Sequence, residues 1–258
     1  MCATCGCGEA DVRVDGETGE YLHVHEDGTV HAHGADHTHT HEQPHTHTID
    51  LEMAVLAKND ELAQANRAWL AGRRIAAVNL MSSPGAGKTT LLERTIKEQG
   101  AGRPIAVVEG DQETVYDAER IRAVGARAVQ INTGSGCHLD ATMVRRGLDA
   151  LEPHDGDLLV LENVGNLVCP ALFDLGETKK VVIISVTEGD DKPLKYPHMF
   201  AAADLVVVNK TDLLPYVDFD VDRCEKDARS LNSALEWMPM SARTGDGLDA
   251  WYRWLGSL

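Results

Sequence analysis

Ser82-Ser83-Pro84-Gly85-Ala86-Gly87-Lys88-Thr89 is the stretch on which the reading of this chain turns. The apolar run 75–81 before it reads as a buried strand, and Thr90-Leu91-Leu92-Glu93-Arg94 after it reads as the start of a helix. Strand, glycine loop, Gly-Lys-Thr and helix, in that order, form the phosphate-cradling P-loop pattern. Gly85, Ala86 and Gly87 would curl backbone N–H groups around a phosphate. Lys88 would reach the outer phosphates, and the Thr89 hydroxyl, followed by Thr90, would meet a Mg²⁺ ion. The helix N-terminus adds partial positive charge at the same place. Ser82 stands where the pattern usually has glycine, but Pro84 and Gly85 already specify a turn. A plain glycine turn is the alternative reading, and the Lys-Thr pair in this context argues against it.

Outward from the loop, strands are expected at 104–109, 128–132, 157–161, 181–186 and 205–208, with helical stretches between most of them. Strands alternating with helices predict an α/β fold with a doubly wound, mostly parallel sheet. Ligands of such sheets bind at the carboxyl ends of the strands. Three strand ends carry candidate groups. Asp111 follows the strand ending in Val107-Val108-Glu109, where a carboxylate would hold Mg²⁺ or orient a water; an ordinary polar turn is equally open. Glu162 ends Leu158-Leu159-Val160-Leu161, the Walker B position, and Gly165 beyond it would donate to a γ-phosphate as a hinge. Leu205-Val206-Val207-Val208 delivers Asn209-Lys210-Thr211-Asp212. There Asp212 would accept two hydrogen bonds from guanine, a donor pair that adenine lacks. Lys210 would cover the base, Asn209 would tie this loop to the P-loop, and Ser241-Ala242 would approach guanine O6. Before the P-loop, Leu51, Val55, Leu62 and Trp69 share one helical face, predicting an amphipathic helix over about 50–71 that packs on the domain.

The N-terminal quarter has a different chemistry. Cys2, Cys5 and Cys7 are spaced to wrap one soft metal ion, Zn²⁺, Cu(I) or Ni²⁺. His23, His25, His31, His33, His37, His39, His41, His45 and His47 follow, nine of the chain's 12 histidines. Too few apolar residues accompany them to form a core, so residues 1–48 read as a flexible metal-binding tail and 49–258 as the nucleotide domain. A solvated linker is the competing reading of the tract. Cys137-His138 and Cys169 offer a second thiolate and imidazole site inside the domain, of only three ligands unless two copies share it. The alternative makes both cysteines small buried hydrophobes. Cys224, alone on an expected helix, reads as structural.

The 258 residues carry a net charge of −17, which disfavours nucleic acid or an anionic membrane as partner. With no spanning apolar stretch, no secretory pattern and reduced, metal-oriented cysteines, a cytoplasmic protein is expected.

Taken together, Cys2-x-x-Cys5-Gly6-Cys7, the histidine tract, the P-loop, Glu109-Gly110-Asp111, Cys137-His138, Glu162-Asn163-Val164-Gly165-Asn166, Cys169-Pro170, Glu188 through Pro197 and Asn209-Lys210-Thr211-Asp212 resemble the HypB family. These are GTPases that assist nickel delivery to [NiFe]-hydrogenase. The resemblance implies a GTP- and Mg²⁺-dependent dimerising metallochaperone with a tight N-terminal metal site and a weaker one at Cys137, His138 and Cys169. It implies Ni²⁺ as cargo with Zn²⁺ as alternative occupant. The implied partners are a HypA-type metallochaperone, the hydrogenase large-subunit precursor and a SlyD-type isomerase. Lys192 and Lys195 are candidates for charge contacts across a dimer. The similar urease-maturation GTPases are expected to carry Cys-Pro-His, whereas Ala171 follows Cys169-Pro170 here. A metal buffer with an idle nucleotide domain is the reading from a different class. The absence of a recognisable arginine finger or catalytic glutamine predicts slow intrinsic turnover, with Lys88, Thr89, Asp111 and Glu162 as the catalytic set.

Overall fold

The computed structural model describes residues 21–24, 30–33, 45–111, 116–134 and 136–258, with side chains from Met53 onward. Two compact units divide between Ala54 and Val55. In the first, β1 (Tyr21–Val24) and β2 (Val30–His33) pair antiparallel, with His23 opposite His31 and Tyr21 opposite His33. Alternating Leu, Val and His supply strand propensity where no regular structure was expected. Cys2, Cys5, Cys7, His25, His37, His39 and His41 lie outside the described residues, as do the side chains of His23, His31, His33, His45 and His47.

The second unit begins inside α1 (His45–Gly72). Its sheet is built from β3 (Ala76–Ser82), β4 (Ile105–Asp111), β5 (Arg127–Asn132), β6 (Leu158–Gly165), β7 (Lys179–Ser185), β8 (Leu205–Asn209) and β9 (Glu236–Pro239). Among the described residues these seven strands run in the order β5-β4-β6-β3-β7-β8-β9, and every pairing is parallel. The helices are α2 (Lys88–Gln99), α3 (Tyr116–Ala123), α4 (Ala141–Leu151), the short α5 (Lys192–Lys195) and α6 (Pro197–Ala202), α7 (Val221–Leu231) and α8 (Leu248–Gly256).

Burial on both sheet faces explains why the inner strands are continuous apolar runs. On one face Val78, Leu80, Val107, Val160, Ile183 and Val207 pack under Leu91, Leu92, Trp251 and Trp254 of α2 and α8. On the other, Ala77, Val108, Leu159 and Leu161 meet Leu70 of α1 and Val144 and Leu148 of α4. Farther along that face, Val182, Ile184, Val206 and Val208 meet Phe200, Cys224 and Ala228 of α6 and α7. Cys224 is a core thiol, and burial pushes it up to about 12. Strand alternation therefore sends Glu109 and Glu162, each an even number of positions beyond the paired strand starts Ile105 and Leu158, to the α2 face, where the P-loop ends β3.

The expected stripe on α1 is corrected by the structure. Val55 is 51% exposed, Leu62 and Trp69 are half-buried, and the face turned inward is Asn59, Ala63, Asn66 and Leu70. Hydrogen bonding sets this register. Asn59 accepts from Ala141 N–H (2.9 Å) and donates to the Asp174 carbonyl (2.8 Å), while Asn66 donates to the carbonyls of Ala141 (2.9 Å) and Leu175 (3.2 Å). Gly176, at φ 89°, lies so close to the α1 backbone at Ala63 that a side chain there would overlap it. Trp69 instead lies beneath the guanidiniums of Arg73 and Arg145, 4.6 and 4.8 Å from its ring.

Candidate nucleotide and metal sites

The P-loop leaves β3 with Gly85 at φ 77° and Gly87 at φ 99°, conformations open to glycine without strain. Gly87 has a second constraint, since a Cβ there would overlap the Asn209 amide. Lys88 and Thr89 then begin α2, and Lys88 Nζ donates to Ser82 Oγ at 3.1 Å.

Beneath the loop, Thr89 Oγ1 lies 2.7 Å from Glu162 Oε1 and 3.2 Å from Asp117 Oδ2. Glu162 sits beside Glu109 in the β4–β6 pairing, and both are almost fully buried. One oxygen of each, Glu109 Oε2 and Glu162 Oε2, has no hydrogen-bond partner. Two buried carboxylates with orphaned oxygens, beside a threonine hydroxyl, fit a hard divalent cation. Without one, burial pushes Glu109 up to about 8, with the neighbouring charges of Glu162, Asp111 and Asp117 acting in the same direction and Lys88 against it. Burial also raises Glu162, opposed by Lys88 and the Thr89 hydroxyl.

Asp111 stands at the end of β4, half-exposed, its carbonyl accepting from Thr133 N–H at 2.9 Å. Thr90, next in α2, is exposed, between the buried Thr89 and Leu91. Sequence reasoning passed over Glu109, hidden as the last residue of an apolar strand, and Asp117, which follows residues 112–115. Asp117 is held by Arg120 at 3.0 Å, and Arg120 also grips Glu93 with two bonds of 2.9 and 3.1 Å. A third omission is Glu188. Its Oε2 accepts from Ser83 Oγ of the P-loop and from Lys192 at 3.2 Å, while its Oε1 is a further buried orphan. Lys195 pairs with Asp191 at 2.6 Å, so both lysines have partners within the chain.

At the other end of the P-loop, Asn209 joins three segments. Its Nδ2 donates to the Ala86 carbonyl (2.9 Å), and its Oδ1 accepts from Lys210 N–H (2.8 Å) and Ala242 N–H (3.0 Å). Lys210, in the left-handed region at φ 64°, donates Nζ to the Gly85 carbonyl at 2.7 Å. Ser241 Oγ donates to Asp212 Oδ1 at 2.6 Å, so the two expected base-contacting segments adjoin. Arg94 of α2 supports them from below, donating to the carbonyls of Ala242 (3.1 Å) and Arg243 (3.0 Å).

Cys137, His138 and Cys169 converge, with ligand atoms all within 4.8 Å of one another. Cys137 Sγ donates to Cys169 Sγ at 2.8 Å and lies 3.6 Å from His138 Nδ1. Cys169 is buried at the start of a 3₁₀ turn, Cys169–Leu172, with Pro170 fixing its entry. The His138 ring stacks on Phe173 at 3.9 Å. Burial lowers its pKa, with Asp140 opposing, which favours the neutral imidazole that ligates metals. Two thiols and an imidazole suit Ni²⁺ or Zn²⁺. A cavity of about 370 Å³ is lined by Ser83 and Pro84 of the P-loop together with Cys137, Gly165 and Tyr196. Gly165 packs against Pro84, where a Cβ would come within 3.2 Å of three proline atoms.

Comparison with known proteins gives this arrangement relatives. The family model described as "CobW/HypB/UreG, nucleotide-binding domain" matches residues 76–239. The chain is 48% identical to a hydrogenase maturation factor HypB of Azotobacter chroococcum, covering 99% of this chain and 92% of that protein. It is 47% identical to the protein of the same name from Escherichia coli K12, covering 99% and 98%. Among solved structures, HypB from Helicobacter pylori in complex with nickel superposes with a TM-score of 0.74 at 39% identity, covering 78% of this chain and 94% of that one.

Proposed function

The chain belongs to the HypB branch of the CobW/HypB/UreG family, and on that premise we propose that it is a GTP-hydrolysing metallochaperone that carries nickel into the [NiFe]-hydrogenase large subunit. The observation that carries the reading is the shared cavity: P-loop residues Ser83 and Pro84 and the nickel-capable Cys137 line the same space. A nucleotide event at one wall is thereby within reach of cargo at another.

In this reading GTP phosphates lie on the N–H groups of Gly85, Ala86 and Gly87, with Lys88 balancing their charge. Asp212 selects guanine, Asn209 and Lys210 hold its loop against the P-loop, and Ser241 and Ala242 complete the base contact. Thr89, Glu162 and Asp111 hold Mg²⁺, with Glu109 and Asp117 added by the geometry. Mg²⁺, when bound, neutralises charge on the phosphates. Gly165 donates its N–H to the terminal phosphate, and Thr90 supports the helix start. Cys137, His138 and Cys169 hold Ni²⁺, or Zn²⁺ in its place. Cys2, Cys5, Cys7 and the histidine tract within 1–48 collect the metal, while 49–258 spends GTP to release it in one direction. A HypA-type metallochaperone, the large-subunit precursor, a SlyD-type isomerase and a second copy of the chain are the proposed partners, in the cytoplasm. Among the described residues no helix is long and apolar enough to cross a membrane.

The test is hydrogenase and urease activity in a strain lacking this gene, with and without added nickel. Loss of hydrogenase alone, restored by excess nickel, is the expected result. Loss of urease alone would move the chain's role to urease maturation. Persistence of both at limiting nickel would leave the buffer reading in its place.

A further inference from the structure

The five residues Glu162-Asn163-Val164-Gly165-Asn166 touch both sites, and they do so in alternation. Glu162 meets Thr89 at 2.7 Å, and Gly165 rests on Pro84 of the P-loop. Asn163 and Asn166 point the other way, into the loops that carry the thiols. Asn163 is fully buried, and its Oδ1 accepts from Leu139 N–H (3.0 Å), the residue after His138, and from Val164 N–H (3.0 Å). Its Nδ2 donates to Asn79 Oδ1 (3.3 Å), and Asn79 donates in turn to Glu177 Oε1 (3.2 Å). Asn166 donates Nδ2 to the Cys137 carbonyl (3.3 Å) and accepts at Oδ1 from Val168 N–H (2.8 Å), next to Cys169. One amide thus grips both cysteine-bearing segments.

Strand geometry explains the opposite directions of Glu162 and Asn163. On β6, residue 162 faces α2 and residue 163 faces the opposite layer, so one strand end reads the nucleotide on one side and holds the metal loops on the other. At the end of the strand, after an irregularity in its pairing with β3, Gly165 has no room for a side chain because Pro84 occupies the place, and Asn166 beyond it reaches across to Cys137. A shift of Gly165 against the P-loop that moves Asn166 must either carry the Cys137 segment with it or break the bond of Asn166 to the Cys137 carbonyl.

We infer that Asn166, backed by the buried amide of Asn163, is the positioning residue through which nucleotide state sets nickel affinity at Cys137, His138 and Cys169. The inference rests on the proposed nickel and GTP reading of these sites. Asn166 touches neither ligand; it acts by fixing the separation of the two cysteine segments, and separation decides whether both sulfurs bind one ion.

The experiment uses the full chain carrying Cys2→Ala, Cys5→Ala and Cys7→Ala, so that thiolate-to-nickel charge transfer reports the Cys137–Cys169 site and histidine binding stays silent. Nickel is titrated with GDP and with a non-hydrolysable GTP analogue. The expected ratio of the two affinities is at least about fivefold in this background, within the usual range of coupling between sites. In Asn166→Ala and in Asn166→Asp it should fall below about twofold. Asn166→Asp keeps the acceptor for Val168 N–H, loses the donor to Cys137 and adds a negative charge, so the ratio of affinities rather than their absolute size is compared and a melting curve checks the fold. A wild-type ratio retained in either variant overturns the inference and leaves the proposed function standing. A ratio near one in the parent chain sinks both the inference and the nucleotide-coupled part of that function.

Discussion

The two candidate ligand clusters differ in what holds them. Glu109 and Glu162 are fixed by the sheet itself, as a directly paired position on adjacent parallel strands. Cys137, His138 and Cys169 stand on connections, the first two before α4 and the third in a 3₁₀ turn after β6. The carboxylates cannot separate without breaking strand pairing, whereas the thiols are held together by side-chain bonds and ring stacking. A cluster on strands keeps its geometry through a catalytic cycle, and a cluster on loops can change its geometry and release an ion. This division is what the proposed function asks for, a cofactor that stays and a cargo that leaves.

The largest expected effect breaks the comparison if it spreads from one cluster to the other. Lys88→Ala removes the cation that in the proposed reading faces the phosphates, and GTP hydrolysis should fall by about 10²–10³-fold, the usual scale for one preorganised charge contact in a transition state. Nickel bound at the thiols in the absence of nucleotide should be unchanged, because Lys88 bonds to Ser82 and to no group of the metal cluster. A matching loss of resting nickel affinity in this variant would show that the two clusters are one structural unit after all.

The nucleotide half was more legible in sequence than the metal half's supports, for a physical reason. Phosphate and guanine recognition needs particular residues at short, fixed separations, so Gly87-Lys88-Thr89 and Asn209-Lys210-Thr211-Asp212 can be read locally. The parallel sheet was legible because strands buried on both faces must be apolar throughout. The register of α1 was not, since apolar spacing pointed to Val55 and Leu62 while two asparagine amides, bonded to groups some 75 to 115 residues away, turned a different face inward. Asn163 and Asn166 were legible only as part of a resemblance. What they do depends on the backbone of Leu139 and Cys137, which no local pattern announces. Glu109 was overlooked because an acid closing an apolar strand looks like its solvent end, yet it is 2% exposed.

An intermediate effect sharpens the comparison through pH. The strand-fixed acids cannot move apart, so protonation is their relief when no cation is bound. Folded Glu109 keeps its proton to about 8, against an ordinary value of 4.5. Between those values the folded chain holds a proton that the unfolded chain has lost, so this group makes stability fall as pH rises. Metal- and nucleotide-free protein should therefore melt at a lower temperature at about pH 8 than at about pH 6. Glu109→Gln, which keeps the shape and removes the charge, should flatten that slope and raise the melting temperature at the upper end by a few degrees. An unchanged slope in differential scanning calorimetry would mean that Glu109 is already relieved by another route.

The smallest effect concerns a third region, the loop proposed to contact the base, which lies on connections like the metal cluster but has its backbone bonded from two sides. Arg94 leaves the P-loop helix and binds the carbonyls of Ala242 and Arg243, and Asn209 fixes Ala242 N–H from the other side. Arg94→Ala removes the first support and leaves the second, so guanine-nucleotide affinity should weaken severalfold while the preference for guanine over adenine persists through Asp212. Fluorescent GDP and ADP analogues measured side by side decide this. Loss of discrimination together with affinity would mean that Arg94 shapes the base site itself. Weaker GDP binding with intact selectivity would mean that a loop can be held nearly as firmly as a strand when its carbonyls are bonded from the helix beneath, and that the Cys137 and Cys169 segments differ in being held by Asn163 and Asn166 at the end of β6 rather than from a helix.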